Sequence, residues 1–88
     1  MVLAVAYLRV SKDEENPENQ RLYLERWAGE RGYKVAAWYV DVDVSGDVPI
    51  EERPAFRRLV EEVQRMDPRP QVLLVYETSR LVRSFQEL

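Results

Sequence analysis

With 88 residues, the chain has room for one small domain and no more, and its 45% hydrophobic and 33% charged residues exclude a disordered chain. A net charge of −3 speaks against autonomous tight binding to nucleic acid, where affinity comes largely from neutralising phosphates, but leaves room for a local basic cluster. The absence of cysteine and histidine excludes disulfides, thiolate nucleophiles, imidazole bases and the commonest transition-metal ligands, so any phosphate chemistry must use Arg, Ser and carboxylates.

The first element, Val2–Val10 (VLAVAYLRV), is β-branched and apolar throughout, as expected of a strand buried on both faces. This run is far too short to cross a bilayer and lacks a signal-peptide layout, so the chain reads as intracellular. Residues 11–16 are polar and break it. Pro17 suits the first turn of a helix and Glu18 its positive end. Leu22, Tyr23, Trp27 and Ala28 are expected to form the apolar stripe of that helix, with Arg21, Glu25 and Glu30 facing outward and Gly32 as its stop. KVAAWYV at 34–40 reads as a second strand, followed by a polar loop at 41–52 that contains Ser45-Gly46. Arg53-Pro54 opens a second helix, in which Phe56, Leu59, Val60, Val63 and Met66 keep a 3.6-residue period. DPRP at 67–70 makes a rigid turn, QVLLVY at 71–76 a third buried strand and 77–80 a loop, and 81–88 reads as the start of a third helix.

Strand–helix alternation predicts an α/β domain whose parallel sheet, joined by right-handed crossovers, is covered by helices on both faces. Functional sites in such sheets form beyond the carboxyl ends of the strands, where the segments around 9–11, 41–45 and 77–80 all fall. No glycine-rich phosphate loop follows the first strand. Trp27, Trp38 and Phe56 read as core aromatics rather than base-stacking platforms.

Three segments stand out: Tyr7-Leu8-Arg9-Val10-Ser11, then Ser45-Gly46 followed by Arg53-Pro54, then Arg80-Leu81-Val82-Arg83, with Gln20 nine residues after Ser11. In this order and spacing the chain resembles the resolvase/invertase family of serine site-specific recombinases, and its 45–56 segment is most similar to large serine recombinases and transposon relatives. The resemblance implies a resolvase-like three-layer fold with a central, mainly parallel sheet. It implies that 1–88 is the catalytic domain, C-terminally incomplete, with a dimerisation helix and a DNA-binding domain expected beyond Leu88. Ser11 would attack a DNA phosphodiester, form a 5′-phosphoserine linkage and free a 3′ hydroxyl. Strand exchange and religation would follow without metal, ATP or any cofactor. The implied partners are DNA, a homodimer on each site and a synaptic homotetramer, with no membrane, in the cytoplasm of a prokaryote or the host of a virus or mobile element.

The residues make chemical sense of this. A phosphodiester under attack by a hydroxyl becomes a crowded, strongly anionic five-coordinate centre, and guanidinium groups offer it planar paired donors. Arg9 lies two residues before Ser11, so strand alternation puts both on one side. Arg53 opens a helix, and Arg80 and Arg83 are three apart on an expected helical face. Gln20 joins them by its spacing, and Tyr7 either braces Arg9 or simply packs in the core. Other readings stay open: Arg9 in a salt bridge with Asp41 or Asp43, and a metal-dependent phosphodiesterase built on those two carboxylates. Ser79 stands where the family has Asp, and Glu15 where it often has Gln; these departures carry the alternative of an assembly module that keeps the fold without cleaving.

Overall fold

The computed structural model describes residues 2–10, 17–76 and 82–85. Strand β1 (Val2–Val10) leads to helix α1 (Pro17–Glu30), then strand β2 (Tyr33–Val42), a single 3₁₀ turn (Ile50–Glu52), helix α2 (Pro54–Val63), strand β3 (Val72–Tyr76) and strand β4 (Val82–Phe85). The sheet order is β2-β1-β3-β4; β1 is parallel to both its neighbours, and β4 runs antiparallel to β3. This is the expected α/β architecture with a mainly parallel sheet.

Alternation along β1 feeds two cores. Ala4, Ala6, Leu8 and Val10 point to one face and pack with Leu24 and Ala28 of α1. Val5 and Tyr7 point to the other and pack with Ala55, Leu59 and Val63 of α2. The three layers therefore follow from one apolar strand, because a sheet apolar on both faces must be covered on both. Among the described residues no helix is long and apolar enough to cross a membrane.

Strand β2 carries an irregularity that sets the site. Ala4 pairs with Val35 but Val5 pairs with Ala37, so Ala36 is an extra residue, a β-bulge. Before it, Tyr33 and Val35 pack against the α1 core; after it, Trp38 and Val40 do so, while Ala37 and Tyr39 face α2. An unbroken strand would put residues 33, 35, 37, 39 and 41 all on one side. The bulge turns the second half of β2 over, so that Tyr39 and Asp41 face α2.

Two expectations need correction. Within the segment 81–88, expected to open a helix, the described residues Val82–Phe85 form β4, with Val82 opposite Tyr76 and Phe85 opposite Leu73. A helix of so few residues is marginal, whereas the free edge of β3 offers this short β-branched and aromatic run a partner for its backbone. Arg83 therefore lies on a strand rather than on the expected helical face, and Arg80 lies outside the described residues. In α1, Leu22 and Tyr23 are 62% and 50% exposed, and the buried ridge is instead Gln20, Leu24 and Ala28, with Trp27 half-buried. This i, i+4, i+8 ridge seats α1 through the small Ala28 and through Leu24. Tyr23 leans on Tyr76 across the end of β3, with ring centroids 5.7 Å apart. The Gly32 stop is as expected, at φ +78°. In α2, Ala55, Leu59 and Val63 are buried, Phe56 and Met66 half-buried and Val60 exposed.

Candidate functional site

The carboxyl end of β1 is organised around Asp41, which lies opposite Arg9 in the β1–β2 register and is only 5% exposed. Its carboxylate accepts a hydrogen bond from Tyr7 Oη (2.8 Å to Oδ2) and from the backbone amide of Ala55 (3.0 Å to Oδ1 and 3.2 Å to Oδ2). Ala55 sits in the first turn of α2, where amides have no partner within the helix. Asp41 therefore caps α2 from a neighbouring strand and complements the positive end of the helix dipole. Pro54, at the first helical position, lacks an amide that would need one.

A second tie joins β2 to α2: Tyr39 Oη donates to Glu62 Oε1 at 2.8 Å, and Arg58 Nε lies 3.6 Å from Glu62 Oε2. Burial pushes Tyr39 up to about 12, reinforced by Glu62. Burial, with the Asp41 hydrogen bond adding to it and the Arg53 guanidinium opposing it, likewise pushes Tyr7 up to about 12. Tyr7 is thus a neutral donor at physiological pH. In the unfolded chain both phenols ionise near pH 10, and in the fold only near 12. Their contribution is therefore intact below pH 10 and is lost as pH rises through about 12. Stability is expected to fall across that window, and less steeply in Tyr7→Phe, as read from urea midpoints at stepped pH.

From Asp41 the chain turns sharply. Asp43 adopts φ 62°, and its amide donates to Val10 O at 2.8 Å. Ser45 then folds the loop on itself, accepting from Asp47 N on its Oγ (3.1 Å) and from Val48 N on its carbonyl (3.1 Å). Two arginines hold the result. Arg9 Nη1 donates to Val44 O at 3.0 Å. Arg53 Nε donates to Val48 O at 3.1 Å and its Nη2 to Gly46 O at 3.4 Å.

Gly46 is the joint between them. A Cβ built there would stand 3.3 Å from Arg9 Nη2, tighter than ordinary contact, and 3.5 Å from its Cζ. The glycine of the Ser45-Gly46 pair thus lets the backbone approach the guanidinium closely, and a side chain there would push Arg9 aside. Gly46→Ala is expected to displace the Arg9 guanidinium by a few tenths of an ångström with little change in melting temperature. If Arg9 serves a reacting phosphate, DNA cleavage should fall about tenfold in that variant, measured by single-turnover kinetics.

Tyr7, Arg9 and Arg53 are therefore brought together. Gln20 is not part of this cluster: it lies on α1 against the opposite face of the sheet, 4% exposed, and its Oε1 accepts no hydrogen bond among the described residues. Ser11 and Arg80 lie outside the described residues. Arg83 belongs to β4, opposite Val75. Asp41 has an internal role in capping α2 and bonding Tyr7, and among the described residues no three Asp or Glu side chains cluster to hold a metal. Sequence reasoning weighed Asp41 as a polar loop residue, a salt-bridge partner or a metal ligand. Its capping role had no local signal, because the helix it caps begins 13 residues later.

Residues 4–88 match the family described as Resolvase, N terminal domain. Over 84 residues, or 94% of the chain, the sequence is 33% identical to the Transposon Tn2501 resolvase of Escherichia coli. The match spans 39% of that relative's length. No solved structure matches. A family match from the first strand to the last residue, on a mainly parallel α/β sheet, leads to one conclusion: this chain belongs to the resolvase N-terminal domain family.

Proposed function

We propose that this domain is the nucleophile-bearing module of a site-specific DNA recombinase. Ser11 Oγ attacks a backbone phosphorus, the bond to the 3′ oxygen breaks, and the proton passes to the freed 3′ hydroxyl. The phosphoserine retains the bond energy, so the reverse attack by a new 3′ hydroxyl rejoins the exchanged strands without metal or ATP. DNA, a homodimer and a synaptic homotetramer are the partners this reading requires. A transposon resolvase as a relative supports it.

The observation that carries the proposal is the meeting of Arg9 and Arg53, from two separate elements, on the 44–48 loop at the carboxyl end of β1. Arg9 lies two residues before Ser11 in sequence. β3 ends at Tyr76, opposite Leu8, so its carboxyl end shares this rim, and Arg80 follows four residues later in the sequence. With Arg80 and Arg83, the site would gather several guanidinium groups about a pentacoordinate phosphate, where fixed donors in a dry setting stabilise developing charge most. Gln20 keeps only the role that its spacing from Ser11 implies, and Tyr7, neutral and donating to Asp41, does not act as a base.

The test is adduct trapping on a nicked suicide site with the full-length chain. The expected result is a covalent protein–DNA adduct that maps to Ser11 and is unaffected by chelator. Loss of cleavage on chelation would favour the phosphodiesterase alternative. Absence of an adduct with oligomerisation retained would favour the assembly module.

A further inference from the structure

The recombinase reading treats Arg9 and Arg53 alike, as cations awaiting a phosphate. Their surroundings differ. Arg9 is partly exposed at the end of β1, whereas Arg53 is 5% exposed and enclosed by its own chain. Two edges of the Arg53 fork are committed, Nε to Val48 O and Nη2 to Gly46 O, and its charge lies near enough to the Tyr7 phenol to oppose the rise in that group's pKa. These donors are engaged by the backbone of the 44–48 loop rather than turned to solvent.

We propose that Arg53 is a positioning residue that fastens the 44–48 loop to the start of α2, and that it makes no contact with the reacting phosphate. Arg53 is the residue flanking α2, one position before Pro54 and two before Ala55, the amide that Asp41 holds. Its backbone is thus fixed to the sheet through Asp41, and its side chain carries that fixed point outward to the loop. Gly46 receives the Arg53 hydrogen bond on its carbonyl and presents its α-carbon to the Arg9 guanidinium. Arg53 therefore sets the surface on which Arg9 lies, and through it the orientation of the Arg9 guanidinium. A planar fork with several donors in fixed geometry suits this bracing, and a lysine ammonium does not reproduce it.

This inference rests on the recombinase reading only for its link to cleavage; the bracing itself is testable without DNA. Hydrogen exchange of the DNA-free protein should show the amides of Asp47 and Val48 exchanging at least about tenfold faster in Arg53→Lys than in wild type, with β1 and β3 amides unchanged. Arg53→Ala should behave the same way, and the lysine variant keeps the test open if alanine prevents folding. The second measurement is the salt dependence of DNA binding by the full-length chain carrying Ser11→Ala, which prevents cleavage. Arg9→Ala should flatten the log–log slope by about 0.9, one phosphate contact, and adding Arg53→Lys or Arg53→Ala to it should change the slope no further. A further flattening of about 0.9 in the Arg53→Ala double variant, with loop protection at wild-type level, would overturn the proposal and make Arg53 a phosphate ligand. If the wild-type chain forms no Ser11 adduct, the recombinase reading fails, while the exchange measurement still decides what Arg53 does.

Discussion

Arg9→Ala is expected to lower covalent adduct formation by about three orders of magnitude while leaving the domain folded. The magnitude follows from the chemistry assigned to the site: removing a single preorganised donor from a developing oxyanion costs about 10²–10³ in rate. Loss of an arginine that neutralises a transferring phosphoryl group costs about 10³–10⁵. The fold is spared because Arg9 lies at the end of β1, beyond the buried run Ala4–Leu8, and hydrogen-bonds the Val44 carbonyl of a surface loop. Arg9→Lys should not rescue the rate, since an ammonium keeps the charge but loses the paired planar donors. Single-turnover cleavage on a suicide site, with thermal melts alongside, separates the two effects. A rate within about tenfold of wild type in a folded Arg9→Ala protein would remove Arg9 from the reaction.

Asp41→Ala is expected to be the most destabilising single substitution at the site, by about 3–4 kcal/mol. It strands two buried donors, the Tyr7 hydroxyl and the Ala55 amide, and each orphaned group costs about 1–3 kcal/mol. The second of these groups is the capped amide of α2, and loss of such a cap alone costs about 1 kcal/mol. Against a total stability of about 5–15 kcal/mol this is a large share. In a domain of this size it corresponds to a fall in Tm of roughly 15–25 °C. Asp41→Asn keeps one acceptor oxygen and should lose about half as much. Calorimetry of the three proteins checks both values; an alanine variant melting within about 5 °C of wild type would show that neither donor depends on this carboxylate.

Most of the framework was legible because it rests on short-range patterns. The run at Val2–Val10 announced a strand covered on both sides, and the period carried by Phe56, Leu59 and Val63 set α2 against it, although Val60 of the same period is exposed. Gly32 and Pro54 marked helix boundaries through backbone conformations that few other residues tolerate as well. What escaped depended on contacts distant in sequence. Leu22 and Tyr23 are as apolar as Leu24, and only docking against β1 and β2 decides which of them faces inward. Val82–Phe85 is too short to reveal its state alone, and the open edge of β3 decides it. At the site, Tyr7, Arg9, Arg53 and Gly46 were flagged through motif spacing. Asp41 was misjudged because its partners lie 34 residues before it and 14 after it. The carbonyls of Val44, Gly46 and Val48 are backbone atoms, which no side-chain pattern announces.

The extra residue at Ala36 divides β2 into two stretches that answer to different masters. The first needs only to present Tyr33 and Val35 to α1, so a change in length before the bulge can be absorbed by sliding. The second must deliver Asp41 to Tyr7 and to the start of α2, and one residue gained or lost there would exchange inside for outside. Deleting Ala36 itself would send that carboxylate toward α1, leaving the Tyr7 phenol and the α2 amide stranded together. Insertions and deletions in this strand should therefore be tolerated on one side of position 36 and ruinous on the other, a polarity that a scan of single-residue deletions would expose.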